Sequence, residues 1–184
     1  MAQADRQGAF PLVKNIYLTG FMCAGKTATG RALAGLLNRA FCDSDLAVEK
    51  DTGRSVAALV RAKGLAGFRL AEARAVKKII GRVRLVAALG GGVYPSRRWA
   101  AGLNSSGVTV YLHCPWPELE KRLRSARGGR PLLQGDWGQA RLRAKKLYKK
   151  RLAFYRRAEF EINTARLTPL AAARKIKRAL AGTL

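Results

Sequence analysis

Short apolar runs alternate along the chain with longer stretches in which apolar residues recur every three or four positions. Ile16-Tyr17-Leu18 is the first run and predicts a strand over about 15–19. An Ala- and Leu-rich stretch over about 26–38 predicts a helix with Leu33, Leu36 and Leu37 on one face. Ala40-Phe41-Cys42 predicts a second strand, and a helix over about 45–51 ends near Gly53. Ser55 caps another helix, with Val56, Leu59 and Val60 at helical spacing and Gly64 just past its end. Residues 67–81 predict a further helix whose inner face holds Phe68, Ala71, Ala75 and Ile79.

Leu85-Val86-Ala87-Ala88-Leu89 is apolar without interruption, the pattern of a parallel strand covered on both faces. Arg97-Arg98-Trp99 opens a short helix, and residues 108–112 predict a fourth strand. Pro115 and Pro117 start a helix with Glu118 and Glu120 in its first turn and Lys121, Arg122, Arg124 and Arg127 later. That polarity suits the helix dipole, and Gly128-Gly129 ends the helix. Residues 130–136 read as a loop. A long basic helix over about 139–157, a fifth strand over 160–164 and an amphipathic helix over 168–181 complete the chain. Residues 1–14 read as a lead-in. Strands alternating with helices across short connections predict an α/β fold, a mainly parallel open sheet flanked by helices, in one domain.

Composition narrows the chemistry. No apolar run approaches the ~20 residues of a membrane span. The first ten residues lack a basic segment followed by an apolar core, so no secretory leader is expected. Cys23, Cys42 and Cys114 are widely spaced, as expected for reduced thiols in a cytoplasmic protein. The single histidine, His113, ends an apolar run and reads as a strand-end residue, which argues against Ser-His-Asp chemistry. There are 36 Lys and Arg residues against 11 Asp and Glu, a formal charge of +25, which favours anionic partners. Fourteen of the cations lie in residues 121–160, opposed there only by Asp136 and Glu159. Aromatic-interleaved basic repeats, an RNA-recognition signature and a zinc finger are all missing. Charge alone therefore does not make this a nucleic-acid binder, and a solvated basic surface is the plainer alternative.

Gly20, Gly25, Lys26 and Thr27 fit G-x-x-x-x-G-K-[ST] between a predicted strand and a predicted helix, the context of a phosphate-binding loop. The backbone from Cys23 and Ala24 through Gly25 to Ala28 would cradle phosphates at the positive end of the helix. Lys26 would reach the β/γ-phosphates and Thr27 would ligate Mg²⁺. Asp43 and Asp45 share a face at the end of the second strand. One could hold a metal-bound water while the other takes the proton of an attacking hydroxyl; the plainer alternative is a helix N-cap with an acidic neighbour. Gly90-Gly91-Gly92 removes three side chains where a ligand could approach backbone. Arg69, Arg130 and Arg151 are candidate clamps for a carboxylate or phosphate, although any one arginine in so basic a chain could be solvated surface. In an open α/β sheet these loops meet at the C-terminal strand edge.

Residues 15–181 resemble shikimate kinase, a small relative of the nucleoside monophosphate kinases. The matching segments are GFMCAGKT at 20–27 with Gly30-Arg31, FCDSD at 41–45, TGRSV at 52–56, FRLAE at 68–72, LGGGV at 89–93, VYL at 110–112, RPLL at 130–133 and RLAFY at 151–155. The resemblance implies a five-stranded parallel sheet of the P-loop, nucleoside monophosphate kinase-like type. It also implies a substrate-binding helical segment near 46–80 and a lid near 127–140. ATP and Mg²⁺ would be served by Lys26 and Thr27, with Asp43 near the metal. Asp45 would bind a ring hydroxyl and act as base. Arg69 and Arg151 would grip the shikimate carboxylate beside Gly90, Gly91 and Gly92. Arg130 would cover the phosphates from the lid, and Arg166 would contact adenine.

The implied activity is phosphorylation of the 3-hydroxyl of shikimate by a cytoplasmic monomer. Cys23 stands where the family usually has glycine, and Leu65 where an acidic residue is common. A kinase for a gluconate-like hydroxy acid is the alternative enzyme, opposed by Arg69, Arg151 and the triple glycine. A catalytically silent nucleotide- or nucleic-acid-binding homologue is the alternative outside catalysis, opposed by Lys26, Thr27, Asp43 and Asp45.

Overall fold

The apolar runs pair edge to edge into one parallel sheet whose strand order puts the glycine-bounded loop at its middle. The computed structural model describes residues 14–126 and 131–181. Strands β1 (Asn15–Thr19), β2 (Ala40–Asp43), β3 (Leu85–Ala88), β4 (Gly107–His113) and β5 (Phe160–Asn163) lie in the order β2-β3-β1-β4-β5. Every neighbouring pair is parallel, and Leu18 sits beside Ala88 on one side and Val110 on the other. Helices α1 (Lys26–Leu37), α2 (Ser44–Thr52), α3 (Val56–Ile80), α4 (Arg97–Ser106), α5 (Trp116–Ser125), α6 (Trp137–Tyr155) and α7 (Pro169–Ala181) cover the sheet and its edges. The chain crosses from β3 to β4 around β1, so the switch point at which parallel sheets open a crevice falls at the end of β1.

Two-residue periodicity splits β1 between two cores. Ile16 and Leu18 pack on one face with Val86, Val110, Leu33 and Ile176, while Tyr17 packs on the other with Ala87, Val76 and Leu103. Both faces of the central strands are therefore buried, which explains their unbroken apolar sequence. Val48, Leu59, Phe68 and Ala75 form a third, smaller cluster within α2 and α3, so the helical segment that projects from the sheet has a core of its own. Among the described residues no helix is long and apolar enough to cross a membrane.

Several boundaries move for identifiable reasons. The two helices expected over 55–63 and 67–81 form one run, Val56–Ile80, broken only at Gly64 with φ 65° and ψ 179°, a conformation that favours glycine. Helix α6 starts at Trp137, two residues before the expected start, because Asp136 Oδ1 accepts from the Gln139 N–H at 3.0 Å and caps it. It ends at Tyr155 rather than at 157. Residues 131–133 form a 3-10 turn with Leu133 buried, so the range expected for a lid includes this turn and the first turn of α6. The glycines expected to stop α5, and the lead-in through residue 13, lie outside the described residues.

Asn15 fixes the start of the central strand. It is buried, its Nδ2 donates to Arg82 O at 2.6 Å and to Tyr17 Oη at 2.9 Å, and its Oδ1 accepts from Leu85 N at 3.0 Å. One side chain thus ties β1 to the turn that leads into β3, 70 residues later. Asn15→Ala leaves that buried carbonyl and N–H unpaired and should cost about 2–3 kcal/mol, read as a lower midpoint in urea unfolding with an unchanged slope.

Candidate active site

The loop after β1 is built around backbone. Gly25, with φ 93°, precedes α1 and has no side chain to cap it, and the first turn of α1 holds no acid. The helix N-terminus therefore offers its N–H groups and its positive dipole end to an anion. A side chain on Gly20 would collide with the backbone of β4, since a Cβ there would lie 2.8 Å from Leu112 O. Cys23 adopts φ 61°, a left-handed conformation that costs a non-glycine residue about 1–2 kcal/mol. Glycine would take that conformation without strain. Lys26 Nζ donates to the carbonyls of Gly20 and Phe21, both at 3.0 Å, and so folds across the loop.

Asp43 combines the two roles that its position allows. Its Oδ1 accepts from Asp45 N at 2.9 Å and Leu46 N at 3.4 Å, capping α2, while Oδ2 accepts from Thr27 Oγ1 at 2.6 Å. The cap fixes the carboxylate so that its other oxygen faces the phosphate loop. The adjacent hydroxyl and carboxylate oxygens are hard donors suited to a divalent cation that takes few protein ligands and keeps water or phosphate oxygens. Among the described residues there is no cluster of three or more His, Cys, Asp or Glu that could hold a metal by itself.

In the triple glycine, space rather than conformation sets the requirement, and it is tight at Gly90 and Gly92. None of the three has a left-handed φ. A Cβ on Gly90 would lie 2.7 Å from Asp45 Oδ1, and one on Gly92 would lie 2.8 and 2.9 Å from Arg69 Nη1 and Nη2 and 3.2 Å from Arg151 Nη2. A Cβ on Gly91 would lie 3.4 Å from Arg151 Nη1 and 3.5 Å from Gly20 O in the phosphate loop. The three residues thus form a bare wall of the site, with Gly90 against Asp45, Gly92 against two guanidiniums, and Gly91 within reach of both Arg151 and the phosphate loop. Gly90 N donates to the buried Ser44 Oγ at 2.7 Å, and Tyr155 Oη donates to Gly91 O at 2.5 Å. The Tyr155 ring stacks on Tyr111 of β4 with centroids 5.3 Å apart. Arg69 Nη1 pairs with Glu72 Oε2 at 2.5 Å, and Glu72 is buried.

Two cavities flank this wall. One, of about 280 Å³, is lined by Cys23, Gly25, Lys26, Thr27, Ala28, Asp43, Asp45 and Gly91. The other, of about 440 Å³, is lined at its inner end by Arg69, Glu72, Gly92 and Arg151. The expected residues therefore gather at one sheet edge but divide between two adjoining cavities. Ala24 is buried beneath the loop and lines neither, and Gly90 contributes its backbone bond to Ser44. Arg166 lines neither cavity; it lies just past Thr164, whose Oγ1 meets Ala24 O at 3.4 Å. Arg130 lies outside the described residues. Leu65 is exposed, and Arg69 takes its carboxylate partner from Glu72. His113 pairs with Glu161 on the neighbouring strand, Nδ1 to Oε1 at 3.1 Å, a strand-end role as expected.

Ser44, Glu72 and Tyr155 were not among the expected site residues. Glu72 at i+3 from Arg69 and Tyr155 at i+4 from Arg151 were readable as same-face helical partners. Nothing local marks Ser44, whose hydroxyl meets a residue 46 positions away.

A family model described as shikimate kinase matches residues 22–181. The shikimate kinase of Pelotomaculum thermopropionicum is 39% identical over 156 residues, 85% of this chain and 89% of that protein. That of Halorhodospira halophila is 39% identical over 168 residues, 91% of this chain and 93% of the other. Among solved structures, the shikimate kinase from Acinetobacter baumannii in complex with shikimate superposes with a TM-score of 0.87 at 34% identity, covering 93% of this chain and 94% of that one. The shikimate kinase from Aquifex aeolicus superposes with a TM-score of 0.80 at 30% identity, covering 92% and 97%.

Burial holds the Tyr155 phenol above its ordinary value of 10.0, up to about 12, against the opposing pull of Arg151. A phenol whose folded pKa is raised contributes stability that is complete below the unfolded value and is lost as pH rises through the folded one. Unfolding free energy should therefore begin to fall above pH about 10 and keep falling towards about 12. Tyr155→Phe should fall less steeply across that window, measured by denaturant titration at successive pH values.

Proposed function

The chain belongs to the shikimate kinase family, and on that premise we propose how its residues share the reaction it catalyses, transfer of the terminal phosphoryl group of ATP to the 3-hydroxyl of shikimate. The phosphates of ATP bind in the smaller cavity, against the backbone from Cys23 to Ala28 and under the Lys26 ammonium. Shikimate binds along the three glycines, with its carboxylate on Arg151 and Arg69 beside Gly92 and its 3-hydroxyl towards Asp45 beside Gly90. The observation that supports this division is the glycine run itself: a Cβ on Gly91 would be 3.5 Å from Gly20 O of the phosphate loop and 3.4 Å from Arg151 Nη1, and Gly91 and Gly92 line the two adjoining cavities, so ligands in them are in reach of each other.

Asp45 accepts the proton of the attacking hydroxyl, and Glu72 orients the Arg69 guanidinium through their ion pair. Lys26 offsets charge as the phosphoryl group passes between oxygens, a reaction that demands positioning and charge neutralisation more than covalent chemistry. Thr27 and Asp43 would hold Mg²⁺, which supplies charge neutralisation at the phosphates when bound. The same chain provides every group named here, which supports a monomer, and its three free thiols suit the reducing cytoplasm.

Asp45→Asn should lower kcat by about 10²–10⁴ with a far smaller change in the KM for shikimate. Near-normal turnover in that variant would remove the base role. Arg151→Ala should raise the KM for shikimate by about tenfold or more and leave that for ATP unchanged. Gly92→Ala, which brings a methyl group against both guanidiniums, should act in the same direction. A coupled ADP-release assay on shikimate, quinate and gluconate tests the substrate assignment, with turnover expected on shikimate; preferential turnover of gluconate would overturn it.

A further inference from the structure

The larger cavity extends well beyond the place where a shikimate carboxylate would sit. Its volume of about 440 Å³ is in the range that encloses drug-sized ligands. The inner end is the Gly92 wall with Arg69, Arg151 and Glu72. The outer half is made by Arg98 and Trp99 of α4 and by Leu147, Lys150 and Phe154 of α6. Leu147, Arg151 and Phe154 follow one another at helical spacing along a single face of α6, so inner and outer halves are continuous. The Arg98 guanidinium lies over the Trp99 ring, 4.9 Å from its centroid, which gives this end a flat apolar surface beside a cation.

Charge accounting points the same way. Four cations (Arg69, Arg98, Lys150 and Arg151) line the cavity against one carboxylate, Glu72, which is paired with Arg69. One bound carboxylate compensates the inner end and leaves Arg98 and Lys150 facing an apolar cleft with no acid in its lining. We propose that Arg98 and Lys150 form a second anion subsite, so that the cleft binds in place of shikimate a ring acid bearing another anionic group on an apolar arm. The subsite rests on the reading that Arg69 and Arg151 hold the substrate carboxylate. Its natural occupant would be a two-headed ring acid that acts as an inhibitor competing with shikimate, with the apolar arm against Trp99, Leu147 and Phe154.

Biphenyl-4-carboxylate and biphenyl-4,4′-dicarboxylate serve as paired probes in steady-state inhibition against shikimate, with the wild type and an Arg98→Ala/Lys150→Ala double variant. Both substituted residues are exposed, so the variant should keep the wild-type kcat and KM for shikimate. The dicarboxylate should compete with shikimate at least about tenfold more strongly than the monocarboxylate, an advantage that shrinks with added salt and vanishes in the double variant. Equal inhibition by the two probes, or an advantage that survives in the variant, overturns the subsite. A raised KM for shikimate in the variant also overturns it, because the outer cations would then serve the substrate. If neither probe competes with shikimate, the reading of Arg69 and Arg151 fails as well, which separates the two failures.

Discussion

Two guanidinium groups of like charge, on Arg69 and Arg151, converge on the same glycine, and the site depends on their being held there. Three features make the convergence tolerable. Gly92 has no side chain to push them apart, Glu72 offsets one of the charges from a buried position, and both arginines keep contact with solvent. In water alone two such groups would drift apart; on α3 and α6 they are held together, an arrangement whose chemistry suits a carboxylate. Gly91 lies within reach of both Arg151 and the Gly20 carbonyl of the phosphate loop, so the bare backbone of the glycines brings the guanidinium end and the phosphate-loop end of the site close together.

The supports of this wall are hydrogen bonds from distant parts of the chain. Ser44 holds Gly90 from the β2–α2 junction, Tyr155 holds Gly91 from the end of α6, and the Tyr155 ring leans on Tyr111 of β4. Asp43 joins the same frame, because the bonds that cap α2 also aim its second oxygen at Thr27. Asp43 is thus an N-cap, as the plainer of the two sequence readings has it, and the cap itself turns its second oxygen to Thr27. Cys23 shows the reverse case, a side chain kept at a left-handed loop position where glycine would be unstrained.

The large positive charge acquires a clearer setting in three dimensions. Most carboxylates of the described chain already have internal duties: Asp136 and Asp43 cap helices, Glu49 accepts from Val56 N, and Asp51, Glu72, Glu118 and Glu120 pair with Lys78, Arg69, Arg122 and Arg141. Few acids remain to neutralise the other cations. The protein should consequently attract small anions to its clefts and gain stability from them, a field effect that does not depend on the fold.

The order of strands and helices was legible because it rests on local signals: apolar runs for β1, β3 and β4, helical spacing for α1 and α7, and prolines with charge polarity for α5. The phosphate loop was legible too, since Gly25 and Lys26 act through backbone dipoles and a neighbouring helix start, all within a few residues. The caps by Asp136 and Asp43 are local as well, and Asp136 with Gln139 three residues on carries the N-terminus signature that the loop expected over 130–136 passes over. What no stretch of sequence decided was that Arg69 and Arg151 converge on Gly92, that Gly90 and Gly92 are short of space, and that Ser44 and Tyr155 fasten the glycines. Those facts are set by contacts between residues roughly 20 to 70 positions apart, which form only when β1 is buried between β3 and β4 and the helices close over them. Short-range energetics chose the elements; long-range packing chose the neighbours, and the chemistry belongs to the neighbours.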